Sequence, residues 1–315
     1  MTTAMDTRRS LSRLAQDVLL ALYQHRLVST GQLRELFTPH SDRPVYLLRE
    51  LGQMRRLGLV DATDRRRDRT RRRGRCELLW YVTPEGAELA EYGREVMPRA
   101  YRISAQAAAS QIQEHTLAVV ESGVAFVSWA RRLGDECGPW DWDPEIAHRI
   151  RDSDRAGQEP VLLPDAVLRY THGTQEGRRL LTFFLEIDRA TMHVSRLSAK
   201  LAAYARYASY VPQVAGRARA AGSGREAWRE RYPALPRLLF VFDAAPDMVL
   251  TRRGEDLRAL AASMPAVRRS PIVAGMTTLD RLRNEGPFAP IVMPILGDPV
   301  LTSVDMPGGG PSGAS

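Results

Sequence analysis

The sequence predicts a mixed α/β chain in two domains, and three observations lead there. Apolar residues recur at helical spacing in three short runs between residues 12 and 57. Two apolar strands follow, joined by an arginine-rich loop. Beyond residue 160, short apolar strands alternate with amphipathic helices, the pattern of an α/β or α+β domain. A length of 315 residues suits about two domains. With 44% hydrophobic residues the chain can bury a proper core, which excludes a disordered protein.

The first helix is read over 12–26, where Leu14, Val18, Leu19, Leu22 and Tyr23 share a face. Ser29 and Thr30 are capping candidates for a second helix over 31–37. Pro44 suits the first turn of a third, running to about Leu57 with Leu47, Leu51 and Met54 as its buried stripe. Tyr46, Arg49, Gln53 and Arg56 fall on another face of it. A strand opens at Gly58-Leu59-Val60, and 76–83 is its antiparallel partner. The loop 63–75 between them holds eight arginines and two aspartates.

Three short helices and a ribbon with a basic tip describe a winged helix, with duplex DNA as the expected partner. The third helix would enter the major groove, where Arg49 or Arg56 pairs with guanine and Gln53 with adenine. Arg65, Arg66, Arg67, Arg69, Arg71, Arg72, Arg73 and Arg75 form the wing, placed for phosphates or a narrow minor groove. The loop alone carries +6, against +5 for residues 1–92 with 17 arginines and 12 acids, so the basicity is localised. A solvated basic loop, or a winged helix used for protein contact, is the bland alternative.

The totals agree with a polyanionic partner. Net charge is +8 and the pI about 9.9. Two cysteines, Cys76 and Cys137, stand far apart and support neither a disulfide framework nor a zinc site. The six histidines show no HxxxH or HExxH spacing. No run of 18 apolar residues and no signal peptide is present, so the expectation is a cytoplasmic protein without a membrane partner. There is no GxxxxGK[ST], and no nucleotide cofactor is expected.

A helix at 84–95 closes the first domain, a connector follows, and the second domain opens with a helix over 111–129. Residues 163–170 and 180–188 read as a hairpin around a turn-rich segment, 171–179, in which Thr171-His172-Gly173 supplies turn chemistry. A helix follows over 191–210, a strand at 238–242, a helix at 253–263, a strand at 271–277 and a brief helix at 279–284. The boundaries are 1–95 for the winged helix, 96–110 for the connector, 111–300 for the second domain and 301–315 for a Gly- and Pro-rich flexible tail.

Within that domain one residue type stands out. Lys200 is the only lysine, beside 44 arginines. An ammonium is a compact point charge and a guanidinium a planar fork, so a site that keeps lysine is a candidate for chemistry. Strand period two puts Glu186 and Asp188 on one face. Asp165 stands at the mouth of the hairpin, and Lys200, Tyr204 and Tyr207 line one face of the next helix. Asp165, Glu186, Asp188 and Lys200 are therefore the candidate catalytic set, with Asp165 and Glu186 holding Mg²⁺. Such a centre orients water and neutralises a phosphodiester. Helix capping and ion pairs with Arg189, Arg169 or Lys200 are the alternative for Glu186 and Asp188. Glu121 and Glu136 are further acids a metal would accept. Tyr204, Tyr207 and Tyr210 raise tyrosine attack on a phosphodiester, although their spacing suits core packing equally.

The pattern Pro164-Asp165…Glu186-Ile187-Asp188 resembles the PD-(D/E)xK nuclease fold, a restriction-endonuclease-like α/β domain. Asp188 stands where that pattern has lysine, and Lys200 on the next helix would take its place; otherwise the site is a remnant. The segments Leu163-Pro164-Asp165-Ala166-Val167, Phe184 to Thr191, Ser198 to Tyr204 and Glu114-His115 resemble the replication-relaxation family over roughly residues 10–295. The resemblance implies a winged helix joined to a nuclease-like domain, acting in replication, relaxation or transfer of a plasmid or integrative element. Replication or transfer proteins and a second copy of the chain are further partners it allows. The domain either cuts DNA or merely grips it. The competing class is a non-enzymatic winged-helix transcriptional regulator whose second domain dimerises or binds a partner.

Overall fold

The computed structural model describes residues 10–64, 77–92, 113–151, 160–212 and 224–306. The chain is mixed α/β, as the sequence predicts. It divides into two compact units. The first comprises Met1–Ser128 with Gly138–Trp140, and the second Trp129–Cys137 with Asp141–Ser315.

In the first unit, α1 (Arg13–His25) begins at Ser12, whose hydroxyl oxygen accepts the Ala15 N–H at 3.1 Å. The same hydroxyl donates to the buried Glu50 carboxylate at 2.6 Å, fixing α1 against the third helix. A two-residue strand β1 (Val28–Ser29) leads into α2 (Thr30–Phe37). Here Ser29 and Gln32 form a reciprocal capping box, satisfying two orphan N–H groups. Helix α3 (Val45–Arg56) buries Leu47, Leu51 and Met54 completely, the stripe read from spacing. It ends at Gly58, with φ +72°. The Gly58 N–H bonds the Arg55 carbonyl and the Leu59 N–H that of Met54, both at 3.0 Å, a glycine-terminated Schellman stop.

Strands β2 (Val60–Asp64) and β3 (Leu78–Val82) pair antiparallel from Val60↔Val82 to Asp64↔Leu78. Strand β1 adds to β3, giving the order β1-β3-β2. Strand β1 leaves no mark in the sequence, because two residues carry no period. The arginines of the wing, residues 65–75, lie outside the described residues. Helix α4 (Pro84–Tyr92) starts under the Thr83 hydroxyl oxygen, which accepts the Gly86 N–H. A Cβ on Gly86 would sit 1.8 Å from the Leu59 carbonyl oxygen, so the close approach of α4 to that backbone requires glycine. Helix α5 (Gln113–Leu133) supplies residues to both units, its first sixteen to this one.

The second unit is built on a six-stranded sheet. Its strands, in chain order, are β4 (Trp142–Pro144), β7 (Ala166–Thr174), β8 (Gly177–Asp188), β9 (Arg237–Phe242), β10 (Ala274–Thr278) and β11 (Met293–Pro294). The spatial order is β11-β10-β9-β8-β7-β4, with β8, β9 and β10 parallel and the flanking pairs antiparallel. A separate two-stranded pair, β5 (His148–Arg149) with β6 (Val161–Leu162), precedes the hairpin. Strand β8 is central and buried from Leu181 through Asp188. Helices α6 (Val194–Ser209) and α7 (Asp247–Ser263) connect the parallel strands and share one core with Phe184, Phe240 and Phe242. The short helices α8 (Pro265–Arg268) and α9 (Leu279–Asn284) complete the unit.

Two expectations are corrected. Residues 171–179 are not a long turn: β7 and β8 pair to Thr174↔Gly177, leaving a two-residue turn at Gln175-Glu176. The reason is tertiary. Asp135 accepts hydrogen bonds from Tyr170, His172 and the Gly173 N–H, and Glu136 bridges Thr171, so the segment stays extended. Helix α7 starts at Asp247 rather than Arg253, one and a half turns earlier.

Candidate functional site

Glu186 enters the core because β8 is covered on both faces; it is 1% exposed. A buried carboxylate needs partners for each oxygen. Its Oε1 accepts the Tyr204 hydroxyl at 2.6 Å, and its Oε2 accepts the Lys200 ammonium. Both donors lie one turn apart on α6, as helical spacing predicts. Asp165 approaches from the residue before β7. Its Oδ2 accepts the Ile187 N–H at 2.7 Å, and its Oδ1 stands 3.7 Å from the Lys200 amine. The three predicted groups Asp165, Glu186 and Lys200 therefore meet on one amine, whose side chain is about one-third exposed.

The electrostatics follow from burial. Glu186 is pushed up to about 8, first by loss of water and then by the Asp165 charge, against the pull of Lys200 and Tyr204. Burial works to lower the Lys200 amine, yet Glu186 and Asp165 together hold it above its ordinary value. The Tyr204 phenol is driven well above its usual value by burial and by the carboxylate it donates to. An ionised lysine between two acids, one of them proton-hungry, is the arrangement at hand.

Asp188 does not join them. It is 1% exposed, and Arg253 of α7 grips it through Nε to Oδ2 and Nη2 to Oδ1, the latter at 3.0 Å. Arg253 also donates to the Met192 carbonyl, and the Ala190 N–H reaches Asp188 at 3.2 Å. The pair holds the β8–α6 connection, where Ala190 adopts φ +54°. Of the partners the sequence suggested, Lys200 pairs with Glu186, while Asp188 is gripped by Arg253. Arg253 was invisible because it stands 65 residues away on a helix whose start was read too late. Among the described residues no three His, Cys, Asp or Glu side chains gather as a metal set, and the contacts of Asp188 run to Arg253 and the Ala190 N–H rather than to Asp165, Glu186 or Lys200.

The remaining candidates separate clearly. Glu121 accepts from Gln32 at 2.9 Å, and Glu136 pairs with Arg178 at 2.6 Å. Tyr204, Tyr207 and Tyr210 are all buried, which suits packing and leaves no phenol open as a nucleophile. Tyr204 instead orients Glu186 through its hydroxyl.

In the first unit, Tyr46, Arg49, Gln53 and Arg56 all stand exposed on α3, as predicted. The Arg49 guanidinium lies 4.5 Å over the Tyr46 ring and 3.6 Å from the Glu50 carboxylate. The face also exposes Val45 and Leu48. Among the described residues no helix is long and apolar enough to cross a membrane.

These features define a two-unit α/β protein with a helix face of cationic and polar side chains on one unit and an acid–lysine centre on the other. The chain belongs to the replication-relaxation family, whose model matches residues 19–222. The match spans the Asp165, Glu186 and Lys200 segments. No curated protein and no solved structure matches the chain.

Proposed function

We propose that this is a DNA-binding protein of a plasmid or integrative element, acting in its replication, relaxation or transfer. The N-terminal unit serves as a winged helix that reads duplex DNA through α3, with the arginine-rich loop on phosphates. The C-terminal unit serves as a restriction-endonuclease-like domain that nicks DNA with a divalent metal. The observation that carries the catalytic part is the meeting of Asp165 and Glu186 on the Lys200 amine.

The donor set fits Mg²⁺. Asp165 Oδ1 and Glu186 Oε2 are hard oxygens that converge on the place held by the Lys200 amine, which Mg²⁺ would displace, and Mg²⁺ is commonly held by one or two carboxylates plus waters and phosphates. Asp165 and Glu186 would hold it, and when bound it would supply Lewis-acid activation and neutralise phosphate charge. The chain's own groups do the rest. The Ile187 N–H and the Tyr204 hydroxyl fix the two carboxylates by their other oxygens. Lys200, partly open to solvent, offers its charge to the negative charge that develops on a phosphodiester.

Purified protein with Mg²⁺ or Mn²⁺ should convert supercoiled plasmid to nicked or linear product. Lys200→Ala, Glu186→Ala and Asp165→Ala should each abolish cleavage while duplex binding persists. No cleavage by the wild type at any metal concentration, with unchanged DNA shifts for all three variants, would instead favour the regulator whose second unit binds a partner.

A further inference from the structure

Helix α6 carries Arg196, Lys200 and Arg206 and no acidic residue between Val194 and Ser209. Helix α7 differs: Asp247, Glu255 and Asp256 there balance Arg252, Arg253 and Arg258. A general preference for arginine would not empty one helix of acids and leave its neighbour balanced. The segregation belongs to α6.

The charges are also placed. Arg196 and Arg206 are exposed, and no acid among the described residues pairs with either. The Arg196 guanidinium touches the Met192 sulfur at 3.7 Å, too weak an acceptor to hold it. Arg196, Ala199, Ala203 and Arg206 follow one another along a single outward stripe, and Lys200 stands at its edge beside Glu186 and Asp165. Arg196 and Arg206 lie about 15 Å apart along the axis at about 1.5 Å per residue, room for several successive phosphates. Two exposed guanidinium forks with no acid to neutralise them suit phosphate oxygens, which they bind bidentately.

We propose that α6 is a nucleic-acid surface in its own right: Arg196 and Arg206 bind the phosphodiester backbone of one DNA strand and lay it across Lys200. The nuclease reading of the acid–lysine centre is what gives this placement its catalytic meaning, but the binding itself needs no cleavage.

The test uses the full chain and a labelled single-stranded oligonucleotide in EDTA, with affinity followed over a series of salt concentrations. Arg196→Gln/Arg206→Gln should weaken binding and reduce the slope of log affinity against log salt by about 1.4, at about 0.7 per lost phosphate contact. Arg178→Gln/Arg281→Gln removes the same charge from exposed positions on β8 next to the hairpin turn and on α9 and should leave the slope as in wild type. No binding by the wild type, an unchanged slope in the α6 variant, or an equal fall in the control overturns the proposal. A protein that binds through α6 in EDTA yet never cuts plasmid retires the nuclease reading alone. One that cuts while the α6 variant keeps its slope retires this inference alone.

Discussion

Replacing Arg253 by methionine isolates what the Asp188 pair is for. Methionine keeps most of the stem and removes the guanidinium. Asp188, 1% exposed, would then retain a single 3.2 Å hydrogen bond from Ala190 for a full negative charge. Stripping one partner from a buried ion pair costs about 3–5 kcal/mol, because the remaining charge is uncompensated. The Met192 carbonyl loses its donor as well, so the loss should lie near the upper end, about 4–5 kcal/mol. Asp188→Asn/Arg253→Met removes the orphaned charge too and should recover about half of that loss. Urea unfolding of the two single variants and the double closes the cycle. A cost under about 1 kcal/mol for Arg253→Met, or a double variant that merely sums the singles, refutes a structural role for the pair. The same series addresses chemistry: Asp188→Asn should keep cleavage per folded molecule, since Asp188 contacts none of the acid–lysine groups.

Three further outcomes are expected. Burial, helped by Arg231, holds the His148 imidazole at about 4 against an ordinary 6.5; the folded state takes that proton later than the unfolded chain. Its contribution is full above 6.5 and disappears as pH falls toward 4, an effect of about 3 kcal/mol. His148→Phe should flatten that part of the stability curve, read as urea midpoints across the window; an unchanged slope sinks the assignment. Gly86→Ala forces a Cβ into the Leu59 carbonyl and should cost about 3 kcal/mol, visible in thermal unfolding; wild-type stability would contradict the close approach. Neutralising Arg71, Arg72 and Arg73 should weaken duplex binding across sequences and flatten its salt slope by about 2.7, at about 0.9 per contact. Unchanged affinity takes the wing out of the interface.

The parts of the molecule legible in the sequence are those decided by short-range periods. Leu47, Leu51 and Met54 declared the inward face of α3, and Tyr46, Arg49, Gln53 and Arg56 its outward one. Strand period placed Glu186 inward, and helical spacing set Lys200 and Tyr204 together beneath it. Asp165 was legible because it ends the lead-in to the strand that pairs with β8. What escaped depends on contacts far along the chain. Asp135 straightens 171–174 from 35 or more residues upstream. Arg253 claims Asp188 from across the sheet's next connection. Strand β1 exists through its pairing of Val28 with Trp80, which no local pattern announces. Periodicity assigned Asp188 to the right face and the wrong partner.

With a single lysine in the chain, amine-directed acylating reagents find one side-chain address. That address is clasped between two acids, and acylation requires the neutral amine. Its labelling rate thus gauges how tightly the carboxylates retain it. Any cation that takes the amine's place among those oxygens would release it to the reagent, turning an ordinary conjugation reaction into a direct reporter of what occupies the acid pair.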